Sequence, residues 1–224
     1  MARISIIVPV YNEANSINKL MENLDQFKEV CEIIFVDGGS SDGTDKIIGE
    51  KYKLVYSPNK GRANQMNYGA SISNGDILLF LHADSILAND AILHIQDAVL
   101  QGNRVGCFKI KFDSNNSLMK ICGFMSNLRV RLRNIAFGDQ GIFIERTYFY
   151  KLGAYKEIPL MEDYQLSMDI KSDGGKIALL KSKIKTSDRR FLENGRLKTM
   201  ARMQILQYMY RKGEDINTIS NLYK

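Results

Sequence analysis

The chain has 224 residues, 45% of them hydrophobic and 25% charged, with a net charge of +6. This composition belongs to a folded globular protein and excludes a disordered tail or a fibre, and the length suits one large domain or two small ones of ~100–200 residues. No apolar run approaches the ~18–20 residues that cross a bilayer. Tyr11-Asn12-Glu13 follows the first apolar stretch where a small-residue cleavage site would be needed, so no signal peptide is expected.

The charge is unevenly placed. Residues 181–224 carry 11 basic and 4 acidic residues, whereas residues 1–180 carry 20 and 21. Cys31, Cys107 and Cys122 lie far apart with no C-x-x-C pair, which indicates neither a disulfide framework nor a zinc knuckle and fits a reducing, cytoplasmic setting. His82 and His94 are the two histidines, so a histidine-rich metal site is excluded.

The first hundred residues alternate between two periods. Ile4–Val10 is a β-branched run, and Ile17, Leu20, Met21, Leu24 and Phe27 recur at helical spacing. Ile33–Val36 reads as a second strand, the polar cluster Asp37–Asp45 leads into a short helix to Glu50, and Leu54–Tyr56 is a third strand. Arg62–Ser73 reads as helix and Ile77–Leu81 as the fourth strand. Asn89 is placed to cap a helix carrying Ile92, Leu93, Ile95 and Val99. Strands alternating with helices predict βαβ units and a parallel sheet covered on both faces. Right-handed crossovers then put the carboxyl ends of the strands on one edge, where ligands of open α/β sheets bind.

From Val105 the pattern changes. Gly106–Phe112, Gly141–Ile144 and Ile177–Leu180 read as strands, Ser117–Leu132 as mixed, and Glu162–Lys171 and Leu197–Tyr210 as helices. No repeat or linker separates this part, so a single domain over residues 1–224 is expected, with a ligand-binding half (1–104) and an acceptor-side half (105–224).

Polar clusters follow the predicted strands. Asp37-Gly-Gly-Ser-Ser-Asp-Gly-Thr44 combines glycines that let the backbone turn sharply with residues that cap the next helix, whose amino end favours anions. On its own the segment is an ordinary Asp/Gly turn, and it matches neither a dinucleotide fingerprint nor a Walker loop. Asp84, in His82-Ala-Asp84, is a carboxylate of the kind that holds Mg²⁺ or Mn²⁺ beside substrate phosphates, although a His-x-Asp turn standing alone is more often a solvated loop. Arg62 opens a helix, an odd place for a cation unless an anion is held there by guanidinium and helix amides together. Glu162-Asp163 opens another, where paired carboxylates complement the helix dipole and where one, turned into a pocket, serves as a general base.

Taken in order, Val8-Pro-Val-Tyr-Asn-Glu13, Val36–Thr44, Gly61-Arg-Ala-Asn-Gln-Met-Asn67, Gly75–Asp84, Gly138-Asp-Gln-Gly-Ile-Phe143, Met161-Glu-Asp163 and Arg189-Arg-Phe191 resemble the family-2 glycosyltransferases of the GT-A fold, in particular a short soluble bacterial subgroup. The resemblance implies a Rossmann-like α/β domain with a central, mostly parallel mixed sheet flanked by helices. It implies an inverting, metal-dependent transfer from a nucleotide-sugar donor, UDP- or GDP-linked, to an acceptor hydroxyl. Pro9, Tyr11 and Glu13 would line the nucleotide pocket, Asp37 would meet the base, and Arg62 would sit near the diphosphate. Asp84 would hold the divalent metal, Mn²⁺ or Mg²⁺, with His82 standing where the family's Asp-x-Asp motif has its first Asp. Asp163 would be the acceptor-activating base, and Asp139 and Gln140 would lie near the donor sugar or acceptor. Arg189 and Arg190 fall where larger members carry an Arg-Trp element, with Phe191 replacing the Trp.

Two other readings compete. A nucleotidyltransferase would need a basic glycine-rich loop after the first strand, and here no basic residue precedes Lys19 in that loop. A non-catalytic module for nucleotides or a membrane surface is invited by the basic tail, but no helix-turn-helix, finger or RNP-like pattern supports nucleic acid. The surplus charge after Leu180 suits an anionic or lipid-linked acceptor, the donor diphosphate, or peripheral contact with the inner face of a membrane. Arg129, Arg131 and Arg133, alternating with Val130 and Leu132, read either as a solvated edge or as a contact for an anionic acceptor.

Overall fold

The structure is a computed structural model that describes residues 2–193 and 195–223, apart from the side chains of Arg190 and Glu193. Its first part is the expected alternation: β1 (Ile4–Val10), α1 (Ile17–Leu24), β2 (Cys31–Asp37), α2 (Thr44–Gly49), β3 (Lys53–Tyr56), α3 (Arg62–Ile72) and β4 (Ile77–Phe80). There follow β5 (Ser85–Leu87), α4 (Ala91–Leu100), β6 (Val105–Phe112), α5 (Ser117–Arg133), β7 (Ile142–Glu145) and α6 (Arg146–Lys151). The chain continues through α7 (Glu162–Ser172), β8 (Ala178–Thr186), α8 (Arg189–Glu193), α9 (Arg196–Arg211) and α10 (Ile216–Tyr223). Among the described residues no helix is long and apolar enough to cross a membrane.

One eight-stranded sheet, in the order β3-β2-β1-β4-β7-β6-β8-β5, runs through both parts of the chain. Every residue of β1 is buried, because β1 lies between two parallel neighbours and under helices on both faces. That is why its sequence, Ile-Ser-Ile-Ile-Val-Pro-Val, is apolar on both faces apart from the buried Ser5, rather than alternating with exposed polar residues. The β1–β2 register sets Val10 opposite Asp37, so the polar residues after both strands emerge at one edge. Beyond β4 the sheet turns mixed, with β7 antiparallel to both β4 and β6 and β8 parallel to β6.

Two apolar layers cover the sheet. On one face Ile6 and Val8 pack with Leu20 and Leu24 of α1 and Ile95 of α4. On the other, Ile7, Ile34 and Val36 meet Ala63, Met66 and Ala70 of α3 and Leu166 and Ile170 of α7. A third cluster joins Leu160, Met161 and Tyr164, at the start of α7, to Leu206 of α9 and Ile219 of α10.

Several local expectations need correction. The segment expected to be mixed is the helix α5, so Arg129, Arg131 and Arg133 stand on helical turns and form no strand edge. Its buried residues, Met119, Gly123 and Val130, are sparse, while Ile121, Phe124, Met125 and Leu132 are exposed, which blurs the helical period. β8 does not end at Leu180 but runs to Thr186, with Lys181, Lys183 and Lys185 outward and Ser182, Ile184 and Thr186 inward. α4 is preceded by Asp90, not Asn89, at its cap position, and no side-chain cap bond forms there.

Helix α3 approaches the sheet closely at Gly69. A Cβ at this position would stand 2.5 Å from Ile7 Cγ2 and 2.9 Å from Val36 Cγ2. Alanine in place of a helical glycine ordinarily stabilises by ~1 kcal/mol, but overpacking costs ~1–3 kcal/mol. Gly69→Ala is expected to lower stability, read as a decreased urea midpoint at unchanged m-value.

Candidate functional site

The ends of β1 and β2 are tied together by their loops. Asn12 adopts a left-handed conformation (φ 54°), its amide donates to Ser40 Oγ at 2.9 Å, and Ser41 N–H returns a bond to Asn12 Oδ1. The Glu13 amide donates to Thr44 Oγ1 at 2.8 Å and the Ala14 amide to Asp42. Gln65, buried on α3, donates from Nε2 to Val10 O and Val36 O at 2.8 and 2.7 Å, holding the two strand ends at a fixed separation. Within this frame Asp37 is fully buried. Its Oδ1 accepts from Gly39 and Ser40 amides at 2.5 and 2.6 Å, while Oδ2 is buried without a partner. An orphaned carboxylate oxygen inside a protein is costly, and it marks Asp37 as a residue whose hydrogen bonding is incomplete in the free chain.

A second region is a cleft of about 320 Å³ lined by residues from both halves, including Arg62, His82, Asp84, Asp139, Asp163 and Arg189. Four of the sequence-predicted residues therefore meet: Arg62, Asp84, Asp139 and Asp163. Pro9, Tyr11, Glu13 and Asp37 do not line this cleft and form the separate group at the β1 and β2 ends. Tyr11 is exposed there, and the Glu13 carboxylate accepts from Ser16 Oγ.

Gln140 lies in neither group. It is fully buried, accepts from Arg129 Nη2 at 2.9 Å and donates to Phe108 O at 3.4 Å. Arg129 also donates to Ile135 O and stacks its guanidinium 4.0 Å above Phe137. Burial pulls the Arg129 pKa down, against the attraction of Asp139 and Asp163. Arg129 and Gln140 thus brace the turn at Gly138, whose amide donates to Asp163 Oδ2 at 2.7 Å. Neither was assigned this bracing role by sequence, because their partners come together only through the packing of α5 on β6. Tyr223 and Met203, which also line the cleft, arrive from α10 and α9, and no motif marks them. The Arg190 side chain lies outside the described residues.

The chemistry concentrates at the start of α7. Met161 is left-handed (φ 69°), an uncommon state for a side chain that large. Directly after it Glu162 is fully buried and forms an ion pair with Arg62, Nε to Oε1 at 2.5 Å. Arg62 was expected beside a diphosphate. It lines the cleft, and its Nε is engaged by Glu162. The neighbouring Asp163 has its pKa raised to about 7, first by burial, then by the Glu162 charge, against the opposing pull of Arg62 and of the Gly138 and Tyr164 amides. A carboxyl that changes protonation near neutrality, with its face on a cleft, is equipped to accept a proton from a substrate.

Among the described residues, no cluster of three His, Cys, Asp or Glu side chains has the arrangement to enclose a metal. Asp84, exposed, and Asp139 both line the cleft, and carboxylates are the donor type that Mg²⁺ or Mn²⁺ takes, one or two at a time, beside water and substrate phosphates.

Comparison with known proteins agrees with this architecture. The profile of glycosyl transferase family 2 matches residues 5–154. An uncharacterised glycosyltransferase of Haemophilus influenzae is 34% identical over 113 residues, 47% of this chain and 45% of that protein. An undecaprenyl-phosphate 4-deoxy-4-formamido-L-arabinose transferase of Proteus mirabilis is 30% identical over 94 residues, 37% of this chain and 29% of that protein. The chain spans less than half the length of these relatives. Among solved structures, the Pyrobaculum calidifontis mannosyltransferase PcManGT, in complex with GDP-Man and Mn²⁺, superposes with a TM-score of 0.69 over 93% of this chain and 62% of that one, at 18% identity. Staphylococcus aureus TarS 1-349, in complex with UDP-GlcNAc, gives 0.67 over 83% of this chain and 58% of that one, at 16% identity. The fold is that of the GT-A glycosyltransferases.

Two predictions follow from the ion pair and its neighbour. Removing one member of a buried pair strands the other, at a cost of ~3–5 kcal/mol. Arg62→Leu is expected to destabilise by that order, and Arg62→Leu with Glu162→Leu to recover most of the loss in chemical denaturation. Asp163 has its folded pKa raised above the ordinary 3.8, so its contribution is full below pH ~4 and is lost as pH rises through ~7. The Tm of Asp163→Asn relative to wild type should therefore climb between pH 4 and 7 and level off above, at ~2–4 °C for each kcal/mol; a difference independent of pH would refute the shift. The matched profile and the shared architecture together place this chain in glycosyl transferase family 2.

Proposed function

We propose that the protein transfers a sugar from a nucleotide-sugar donor to an acceptor hydroxyl with inversion at the anomeric carbon, Asp163 acting as the general base. The observation that carries this reading is the raised proton affinity of Asp163 in a cleft shared with Arg62, Asp84 and Asp139.

The donor nucleotide occupies the β1 and β2 ends. Asp37 Oδ2 accepts an N–H of the base, and Pro9, Tyr11 and Glu13 form the surrounding wall. A UDP- or GDP-linked donor is supported by the structural neighbours, whose complexes contain UDP-GlcNAc and GDP-Man. The diphosphate then reaches into the cleft toward Arg62, whose terminal guanidinium nitrogens extend beyond the Nε held by Glu162. Asp84 and Asp139 would hold a divalent ion. When bound, it supplies charge neutralisation for the departing diphosphate, worth several kcal/mol.

Asp163 removes the proton of the acceptor hydroxyl as that oxygen bonds to the anomeric carbon. The bond from that carbon to the diphosphate oxygen breaks on the opposite face, and the nucleoside diphosphate leaves with the electron pair. The Gly138 and Tyr164 amides fix the carboxylate so that it faces the hydroxyl in one orientation. A raised pKa makes Asp163 a stronger base than an ordinary Asp, while a pKa near 7 leaves a large ionised fraction at neutral pH. A phosphate- or lipid-linked acceptor is supported by the name of the Proteus mirabilis relative, an undecaprenyl-phosphate transferase.

A thermal-shift panel of nucleoside diphosphates, each with and without Mn²⁺, tests the reading, because a ligand that binds the folded state alone raises its stability. One nucleoside diphosphate is expected to raise Tm in a Mn²⁺-dependent manner. Asp163→Asn should keep that shift and lose ~10²–10⁴-fold in transfer. Absence of stabilisation by every nucleotide would overturn the proposal, and equal loss of binding and transfer in Asp163→Asn would make Asp163 structural.

A further inference from the structure

A separate groove of about 400 Å³ lies beside β6, between that strand and α5. Lys109 and Lys111 of β6, Lys183 of β8 and Lys120 of α5 line it, and no carboxylate does. The parallel β6–β8 register makes the crowding specific, since it sets Lys109 against Lys183 and Lys111 against Lys185. Residues in register on adjacent strands share a face of the sheet at a strand spacing of ~4.8 Å, and like charges so placed are destabilising. Among the described residues none of these five lysines forms an ion pair. The nearby carboxylate of Asp113 is engaged with Lys19 at 3.3 Å. A charge arrangement that costs the free protein stability becomes favourable once an anion lies between the ammonium groups.

The groove adjoins the cleft that holds Asp163. Phe112 lines both, so one ring is their common wall. On the α5 side the lining residue Phe124 is 65% exposed, giving the basic floor an apolar lip.

We infer that this groove is the acceptor subsite and holds a phosphate group of the acceptor, with the acceptor chain passing over Phe112 so that its hydroxyl reaches Asp163. The inference rests on the transfer reaction proposed above and names its acceptor class: a phosphate-bearing molecule. Lys109 and Lys183 bind the phosphate directly, and Lys111, Lys120 and Lys185 supply the surrounding field.

The test uses inorganic pyrophosphate as probe, titrated into isotopically labelled protein and followed by amide chemical shifts. Shifts at residues 109–111 and 183–185 are expected, separate from any at the β1 and β2 ends or at cleft residues such as Arg62 and Asp163. Lys109→Gln with Lys183→Gln should weaken them about tenfold, by loss of two charge-assisted contacts. The same variant should keep its Tm, since like-charge repulsion is relieved, and keep its response to nucleoside diphosphates. Pelleting with phosphatidylglycerol vesicles, against phosphatidylcholine controls, separates the sources of the phosphate. Pyrophosphate binding with lysine-dependent vesicle binding assigns a lipid phosphate; pyrophosphate binding alone assigns a soluble phosphate ester. No localised shift, or shifts unchanged in the double variant, overturns the inference whatever the vesicles do. Because the groove and the nucleotide region are read at different amides, failure of nucleotide binding stays distinguishable from failure at the groove.

Discussion

The Arg62–Glu162 ion pair ties together two residues a hundred positions apart, each opening a helix on the same face of the sheet. A cation at the start of α3 and a buried carboxylate at the start of α7 are each unfavourable alone, the first against its helix dipole and the second against desolvation. Together they are compensated, and the compensation fixes the distance between the halves of the chain. The same pair sets the electrostatics of Asp163, which feels the Glu162 charge as repulsion and Arg62 as attraction. Stability and chemistry at this place are therefore one problem. The left-handed Met161 belongs to it, because that turn delivers both carboxylates at once, one into the core and one onto the cleft.

The sheet explains why the two polar regions, the β1 and β2 ends and the cleft, are distinct. Parallel pairing of β2, β1 and β4 brings their carboxyl ends to one edge, where the Asp37 loop and His82–Asp84 emerge. Antiparallel β7 then breaks the βαβ rhythm, and the turn before it supplies Gly138 and Asp139 from the other half. The mixed part of the sheet is what allows residues of the second part of the chain to face those of the first across a cleft. α9 and α10 close the far side through the small cluster around Leu206 and Ile219.

How much of this was legible in the sequence depends on which interactions are local. The alternation up to β4 was readable, because buried parallel strands are continuous apolar runs and α1 has a clean apolar stripe at Ile17, Leu20, Met21 and Leu24. α5 was not, since exposed Phe124 and Met125 interrupt its period. The far end of β8 was signalled by the alternation of Lys181, Lys183 and Lys185 with Ser182, Ile184 and Thr186, a period of two whose inward residues are partly polar. Arg62, Asp84, Asp139 and Asp163 could be singled out as types and motifs, with their roles implied by family resemblance. Their meeting in one cleft, the capture of Arg62 Nε by Glu162 and the bracing of Gly138 by Arg129 and Gln140 depend on long-range packing that no spacing encodes.

Helix α3 serves both regions from adjacent turns: Arg62 reaches Glu162, while Gln65, three residues on, spans the carbonyls of Val10 and Val36. An α-helix advances ~100° per residue, so the angular phase between these two side chains is fixed by their separation in sequence. A single residue inserted between them would swing Arg62 about a quarter-turn from its partner while Gln65 kept its place. The interval Arg-Ala-Asn-Gln is thus a gauge of rotation as well as length, and insertions there should be far less tolerated than in the loops on either side.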